Sequence, residues 1–237
     1  MAIGPSAPHT RMPHGKRYTK RAALVDSKKT YSAEEAVTLL TKTSPTRFDA
    51  SVEVHFRLGI DPKKGEQQVR GTVSLPHGTG KSKRVAAFVP ADREADAKAA
   101  GADLVGGKEL IEQIKSTEKI AFDVAVATPD MMRDLATIAK ILGPKGLMPS
   151  PKNETVTPKI AEAIRDLKGG KVAFKNDDTA NVHQIIGKVS WDAAKIQENL
   201  TAFMDAIRRA KPPSSKGTYM VSAYLTTTMG PSIRLAV

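Results

Sequence analysis

Two short glycine joints, Gly78-Thr79-Gly80 and Gly169-Gly170, fall where the texture of the chain changes, and they constrain the fold more than any other feature. Between them, short apolar runs alternate with helical stretches. Residues 84–89, 103–105 and 122–127 read as strands. Helices are predicted near 92–100 (ended by Gly101), 108–115, 130–142 and 158–168, the last opened by Thr157-Pro158. Unbroken apolar strands alternating with helices predict a small parallel sheet covered on both faces.

Outside the joints the pattern differs. Ser32 with Glu35 three residues on is a capping box for a helix over 33–42. Residues 51–60 and 69–75 read as strands, as do 171–175 and 181–186 on either side of Asn176-Asp177-Asp178. A helix over 192–210 carries Ile196, Leu200, Phe203, Met204 and Ile207 at helical spacing, and a strand follows at 219–225. The expected fold is an α+β outer domain, an antiparallel sheet with helices, built from 1–78 and 171–237. It is interrupted by an inserted α/β domain with a small parallel sheet, 79–170. Gly78, Gly80, Gly169 and Gly170 would form a hinge of two parallel crossings. The outer core would draw on Val52, Val54, Val73, Val172, Phe174, Ile196 and Phe203.

Charge narrows the partner. The net charge is +12, which fits nucleic acid, an acidic protein or a membrane surface. Residues 1–78 hold 13 basic and 7 acidic side chains, 171–237 hold 9 and 5, and 79–170 hold 15 and 13. The outer halves therefore carry most of the excess. Much of it sits in a basic arm, 1–31, with Arg11, Lys16, Arg17, Lys20, Arg21, Lys28 and Lys29 against Asp26. Cysteine is absent, which excludes a disulfide scaffold and a cysteine zinc site. No apolar run is long enough to span a bilayer, and no apolar stretch backs the basic N-terminus as in a secretory signal. A cytoplasmic protein is expected.

Several short stretches carry candidate chemistry. Thr226-Thr227-Thr228-Met229-Gly230-Pro231-Ser232, after the last strand, offers hydroxyls, one soft apolar side chain and bare backbone. Such a surface suits a sugar-phosphate backbone with 2′-hydroxyls, although an edge strand and turn would read the same way. Arg47 and Phe48 lie in a polar loop before the first strand, where a ring can stack on a base beside an arginine on phosphate; a Phe closing the core is the plainer reading. Glu53 could accept a 2′-hydroxyl hydrogen bond. His183, Lys188 and the alternating Lys171 and Lys175 would add contacts or be solvated faces. Gly143, Lys145 and Gly146 could offer amides and an ammonium to phosphate, or be a helix stop.

Gly78-Thr79-Gly80-Lys81-Ser82 imitates a phosphate-binding loop. It lacks the required glycine at Leu75 and leads into a strand, so it reads as hinge rather than nucleotide site. The histidines form no metal set: His9 and His14 lie in the arm, and His55, His77 and His183 stand apart in sequence. No catalytic arrangement is legible, and no cofactor is expected.

The Thr-rich run resembles the C-terminal signature of the ribosomal protein L-one family. Blocks at 48–54, 58–62 and 69–78 are similar to its N-terminal motifs. Gly101-Ala102-Asp103, Ala127-Thr128-Pro129-Asp130 and Ile141-Leu142-Gly143-Pro144-Lys145-Gly146-Leu147-Met148-Pro149 resemble its middle motifs. The matches run in order from about residue 14 to 235. The resemblance implies the same two-domain layout and a non-enzymatic, ribosome-associated protein, monomeric when free. That protein would bind large-subunit ribosomal RNA, form the mobile stalk near the tRNA exit site and assist release of deacylated tRNA. It implies RNA contact at Phe48 and its basic neighbour, an acid matching Glu53, a second RNA or tRNA contact at the Gly143–Gly146 loop, and repression of translation through the chain's own mRNA. A nucleotide-dependent enzyme in the insert and a basic protein docking an acidic partner are the alternatives from other classes; bound nucleotide would mark the first, and resistance of co-purifying material to nuclease the second.

Overall fold

A computed structural model describes residues 15–237. His9, Arg11 and His14 lie outside the described residues. The rest of the arm departs from expectation, because Lys16–Ala22 forms helix α1. Arg21 on α1 donates to the Lys42 carbonyl in helix α2, Ala33–Thr43, which ties the two together. Tyr31 is buried, and its backbone bonds residues 234 and 236 at the far sheet edge. Ser32 caps α2 by accepting from the Glu35 N–H at 3.3 Å, as its spacing predicts.

Strands β1 (Ser51–Leu58), β7 (Asn181–Lys188), β8 (Met220–Thr227) and β9 (Ile233–Leu235) form one antiparallel sheet in the order β7-β1-β8-β9. A strand from the N-terminal segment thus sits between strands from the C-terminal one. Strand β9, separated from Gly230-Pro231 by one residue, lies outside the sequence expectation; at three residues it is shorter than a periodic pattern can reveal. Along β1, Val52, Val54, Phe56 and Leu58 are buried while Ser51, Glu53, His55 and Arg57 take the other face. The buried face packs on α2 and on helix α8, Ala193–Arg209. A two-stranded antiparallel pair, β2 (Arg70–Ser74) with β6 (Lys171–Lys175), closes the same core. All seven predicted core residues belong to it.

Between β2 and β6 lies a second architecture. Strands β3 (Val85–Phe88), β4 (Leu104–Gly106) and β5 (Val124–Ala127) form a parallel sheet in the order β4-β3-β5. Helices α3 (Glu94–Ala99) and α7 (Ile160–Lys168) belong to one side of it; α4 (Lys108–Thr117), α5 (Met132–Leu135) and α6 (Ala139–Leu142) belong to the other. Val85 and Ala87 enter one core and Ala86 and Phe88 the other, which is why β3 is apolar without alternation. The predicted continuous helix over 130–142 is instead α5 and α6 with 3₁₀ turns before and between them. Met131, Leu135, Ile138 and Leu142 still reach the core. The chain is therefore an antiparallel α+β unit interrupted by a parallel α/β unit.

The glycine joints touch. A Cβ on Gly170 would lie 2.6 Å from the Gly78 Cα and 2.9 Å from the Leu75 carbonyl. Both have left-handed φ, +110° and +67°. Asn199 on α8, fully buried, pins this crossing: it accepts from the His77 N–H at 3.1 Å and donates to the carbonyls of Gly78 at 2.9 Å and Ile186 at 2.7 Å. Asn199→Leu leaves three backbone groups short of a partner, so we expect a loss of about 3 kcal/mol in chemical denaturation. A loss below about 1 kcal/mol would show that the crossing holds itself together.

Candidate nucleic-acid interface

The solvent face of the four-stranded sheet collects most of the predicted residues. Cross-strand pairing sets them in rows: Lys188–Ser51 beside Thr228, then Ile185–Glu53–Thr226, then His183–His55–Tyr224–Arg234. A bulge opposite Val52 and Glu53 shifts the β7 register so that Lys188 and His183 meet β1 two rows apart.

One end of this sheet carries two exposed apolar side chains. Phe48 is 59 % exposed and Met229 is 74 % exposed. Solvated apolar groups of this size are uncommon in a chain whose other five phenylalanines are buried. Their supports explain how they are presented. The Asp49 carboxylate accepts from the Ser190 N–H at 3.1 Å and its hydroxyl at 3.0 Å; Lys188 Nζ donates to the Asp49 carbonyl at 3.4 Å and to Ser51 Oγ at 3.1 Å. Thr46 Oγ1 donates to the Phe48 carbonyl at 3.2 Å. The loop is thus braced from β7 while the Phe48 ring and Arg47 stay in solvent. Thr228 is clipped to Ser51: its N–H donates to the Ser51 carbonyl at 3.0 Å, and its hydroxyl accepts from the Ser51 N–H at 3.1 Å. The next residue, Met229, turns with φ +61° and projects beyond the sheet.

Three predicted roles change on this geometry. Gly230 is bare for its own chain's sake, because a Cβ there would collide with Thr227 Oγ1. Its N–H closes the turn on the Thr227 carbonyl at 2.8 Å. The left-handed residue is Met229, not the glycine. The Thr228 hydroxyl already serves the strand, so it is not a free group awaiting a ligand. Lys188 likewise spends its ammonium on the loop.

Lys171 stands apart from the others. It lies on β6, outside the four-stranded sheet, with its side chain 18 % exposed, and it pairs with Glu154 at 2.5 Å and Asp166 at 3.5 Å. Burial alone would lower its pKa, but the two carboxylates outweigh that and raise it. As a candidate contact Lys171 therefore lies apart from His183 and Lys188, with its ammonium engaged by two carboxylates. The Gly143–Gly146 turn is also separate. Gly146, with φ +69°, donates to the Gly143 carbonyl at 3.0 Å; Lys145 is exposed; and Gly146, Leu147 and Met148 line a cleft of about 470 Å³ that Lys83, Lys171 and Gln184 also border. The imitation phosphate loop at 78–82 has a buried Thr79 and runs into β3, with no helix to cradle a nucleotide.

Sequence reasoning missed a groove beside Arg47. Arg17, Lys20 and Arg21 of α1 and Arg47 line it with Ser44, Pro45 and Thr46, and among the described residues no carboxylate is in its walls. The clustered basic residues were visible; that they fold back on the Phe48 loop was not. It also missed that His55 meets His183, their Nδ1 atoms 2.8 Å apart. Among the described residues no group of three or more potential ligands could hold a metal ion, and no helix is long and apolar enough to cross a membrane.

Comparison with known proteins agrees with this architecture. The profile of the ribosomal protein L1p/L10e family matches residues 40–231. A large ribosomal subunit protein uL1 of Pseudarthrobacter chlorophenolicus is 51% identical over 220 residues, 92% of each chain. The protein of that name from Saccharopolyspora erythraea is 51% identical over 218 residues, 92% of this chain and 91% of its own. That of Kosmotoga olearia is 50% identical over 222 residues, 93% of this chain and 95% of its own. With an antiparallel α+β unit interrupted by a parallel α/β unit, and with such relatives along nearly its whole length, the chain belongs to the ribosomal protein L1p/L10e family, a family of ribosomal proteins rather than enzymes.

Proposed function

We propose that this chain is a structural protein of the large ribosomal subunit, working in the cytoplasm on the ribosome, that grips ribosomal RNA with the solvent face of its four-stranded sheet. The observation that carries the reading is the presentation of Phe48 and Met229 in solvent at one end of that face. Arg47 and the α1 groove would neutralise phosphates beside them, and Glu53 would accept a 2′-hydroxyl. Recognition is physical rather than catalytic: stacking and shape supply selectivity, charge supplies attraction.

The division at 79 and 170 belongs to the same proposal. Gly78, Gly80, Gly169 and Gly170 act as a hinge on which the insert swings. Lys171 on β6, paired with Glu154 and Asp166, holds the insert against the outer unit. The Gly143–Gly146 turn, with Lys145, meets RNA or deacylated tRNA as the stalk moves and assists tRNA release. A messenger that folds like the ribosomal target would occupy the same face, which makes the chain a repressor of its own translation. The free protein is a monomer.

Crosslinking to total cellular RNA tests these claims together. The expected product is one folded segment of large-subunit RNA, with the chain's own messenger as a second and weaker target and deacylated tRNA captured only in ribosomes. Cognate RNA should outcompete random RNA of equal length even at high salt, where stacking survives and phosphate attraction does not. Indiscriminate crosslinks, with equal salt slopes for both RNAs, would reduce the chain to a polycation.

A further inference from the structure

His55 on β1 and His183 on β7 are direct cross-strand partners in the middle of the open sheet face. Their rings meet edge to face, with Nδ1 2.8 Å from Nδ1. At that distance one nitrogen carries the proton and the other the lone pair; two N–H groups would repel. Both outer nitrogens look toward carboxylates. His55 Nε2 is 3.9 Å from Glu53 Oε2, and His183 Nε2 is 3.4 Å from Asp177 Oδ2.

The proton count follows from this geometry. The neutral pair has one proton in the bridge and one on an outer nitrogen. One further proton fills the other outer nitrogen, faces a carboxylate and leaves the bridge intact. Yet another would have to enter the bridge and break it. The pair therefore behaves as one group that switches between zero and +1.

The surrounding charges are limited. Glu53 and Arg57 share the face on β1, Lys188 ends β7, Tyr224 sits opposite His55 on β8, Arg234 follows on β9, and Asp177 and Asp178 lie in the turn before β7. Burial would raise the Asp177 pKa, but hydrogen bonds from Asn181 and Thr179 outweigh it and hold it at about 2, so it is anionic throughout the working range. Burial first, then His183, holds the His55 imidazole below its ordinary value, against the pull of Glu53.

Resting on the interface reading above, we infer that His55 and His183 form a single cation site on the RNA-facing sheet, which takes one proton from solvent when an RNA phosphate docks against it. A phosphate favours the charged form, so the pair's bound-state pKa lies above its free one. The sign is then set: affinity rises as pH falls through the bound-state pKa.

The test is RNA affinity from pH 8 to pH 5.5 for the parent, His55→Gln, His183→Gln and the double variant, with circular dichroism at each pH. The parent should gain roughly three- to tenfold toward acid, the range given by a pKa raised by about half to one unit. The double variant should lose that gain and keep only the slope owed to the RNA's own bases, while each single variant, with one imidazole left, should keep part of it. Imidazole NMR titrations should show the pair's pKa rising on RNA binding. Phe48→Ala separates this inference from the reading beneath it. If Phe48→Ala weakens binding at every pH while the Gln variants keep the parent's slope, proton uptake at the pair is overturned and the interface stands. If Phe48→Ala binds like the parent, the interface falls and this site with it.

Discussion

Phe48→Ala combined with Met229→Ala is expected to weaken binding to large-subunit RNA by roughly a hundredfold, while leaving the fold unchanged. Stacking of an aromatic ring on a base is worth about 1–3 kcal/mol, and the thioether adds a smaller apolar contact. Both side chains stand mostly in solvent, so little core packing is lost with them. Met229 keeps its left-handed backbone as alanine, since neither residue gains or loses a Cβ. This pair is a cleaner probe than Gly230→Val. A valine there meets Thr227 Oγ1 and distorts the turn whether or not RNA is present. Thr228→Val is similarly compromised, because its hydroxyl serves the Ser51 N–H. Affinity would be read by filter binding or calorimetry, with circular dichroism as the fold control. A folded double variant that binds like the parent would remove Phe48 and Met229 from the interface.

Removing residues 79–170 and joining Gly78 to Lys171 through a short glycine linker should leave a folded domain that keeps RNA binding to within about tenfold. The joint is short because Gly170, the neighbour of Lys171, already touches Gly78. The remaining core is a cluster of its own, running from Tyr31 through Phe56 and Phe203 to Leu235, with no residue contributed by the insert. Lys171 loses Glu154 and Asp166 in this variant and becomes an extra cation. The isolated insert has 15 basic and 13 acidic residues. It should bind about a hundredfold more weakly, since so small an excess neutralises few phosphates. Gel shifts of the two pieces give opposite answers under a ligand-binding insert. A folded outer piece that fails to bind, beside an insert that binds, would reverse the division of labour.

Most of the fold was legible because it rests on local signals. The apolar run of β3, the capping box of α2 and the spacing on α8 each point to one element. Elements held by distant partners were not legible. Helix α1 had no apolar stripe to announce it, since none of its residues is buried. Strand β9 is three residues long and exists because β8 offers it an edge. The break between α5 and α6 reflects packing against the parallel sheet, which no helical periodicity encodes.

The site divides in the same way. Residue type marked Thr228, Met229 and Gly230 as a group that a packed core does not need, whereas Arg47 and Phe48 joined them through the family resemblance. Position in space decided their roles. It left Phe48 and Met229 in solvent, set Thr228 and Lys188 to bracing the loop and strand that present them, gave Gly230 to Thr227, and withdrew Lys171 into ion pairs with the insert. By itself the sequence determined most of the strands and helices, that a parallel unit interrupts an antiparallel one, and the family, because those follow from periodicity, glycine placement and motif order. Only the tertiary structure decided which polar groups remain free for a ligand. A side chain's availability depends on what the fold sets within about 3 Å of it, the reach of a hydrogen bond, and at positions such as Thr228 and Ser51 that neighbour lies 177 residues away.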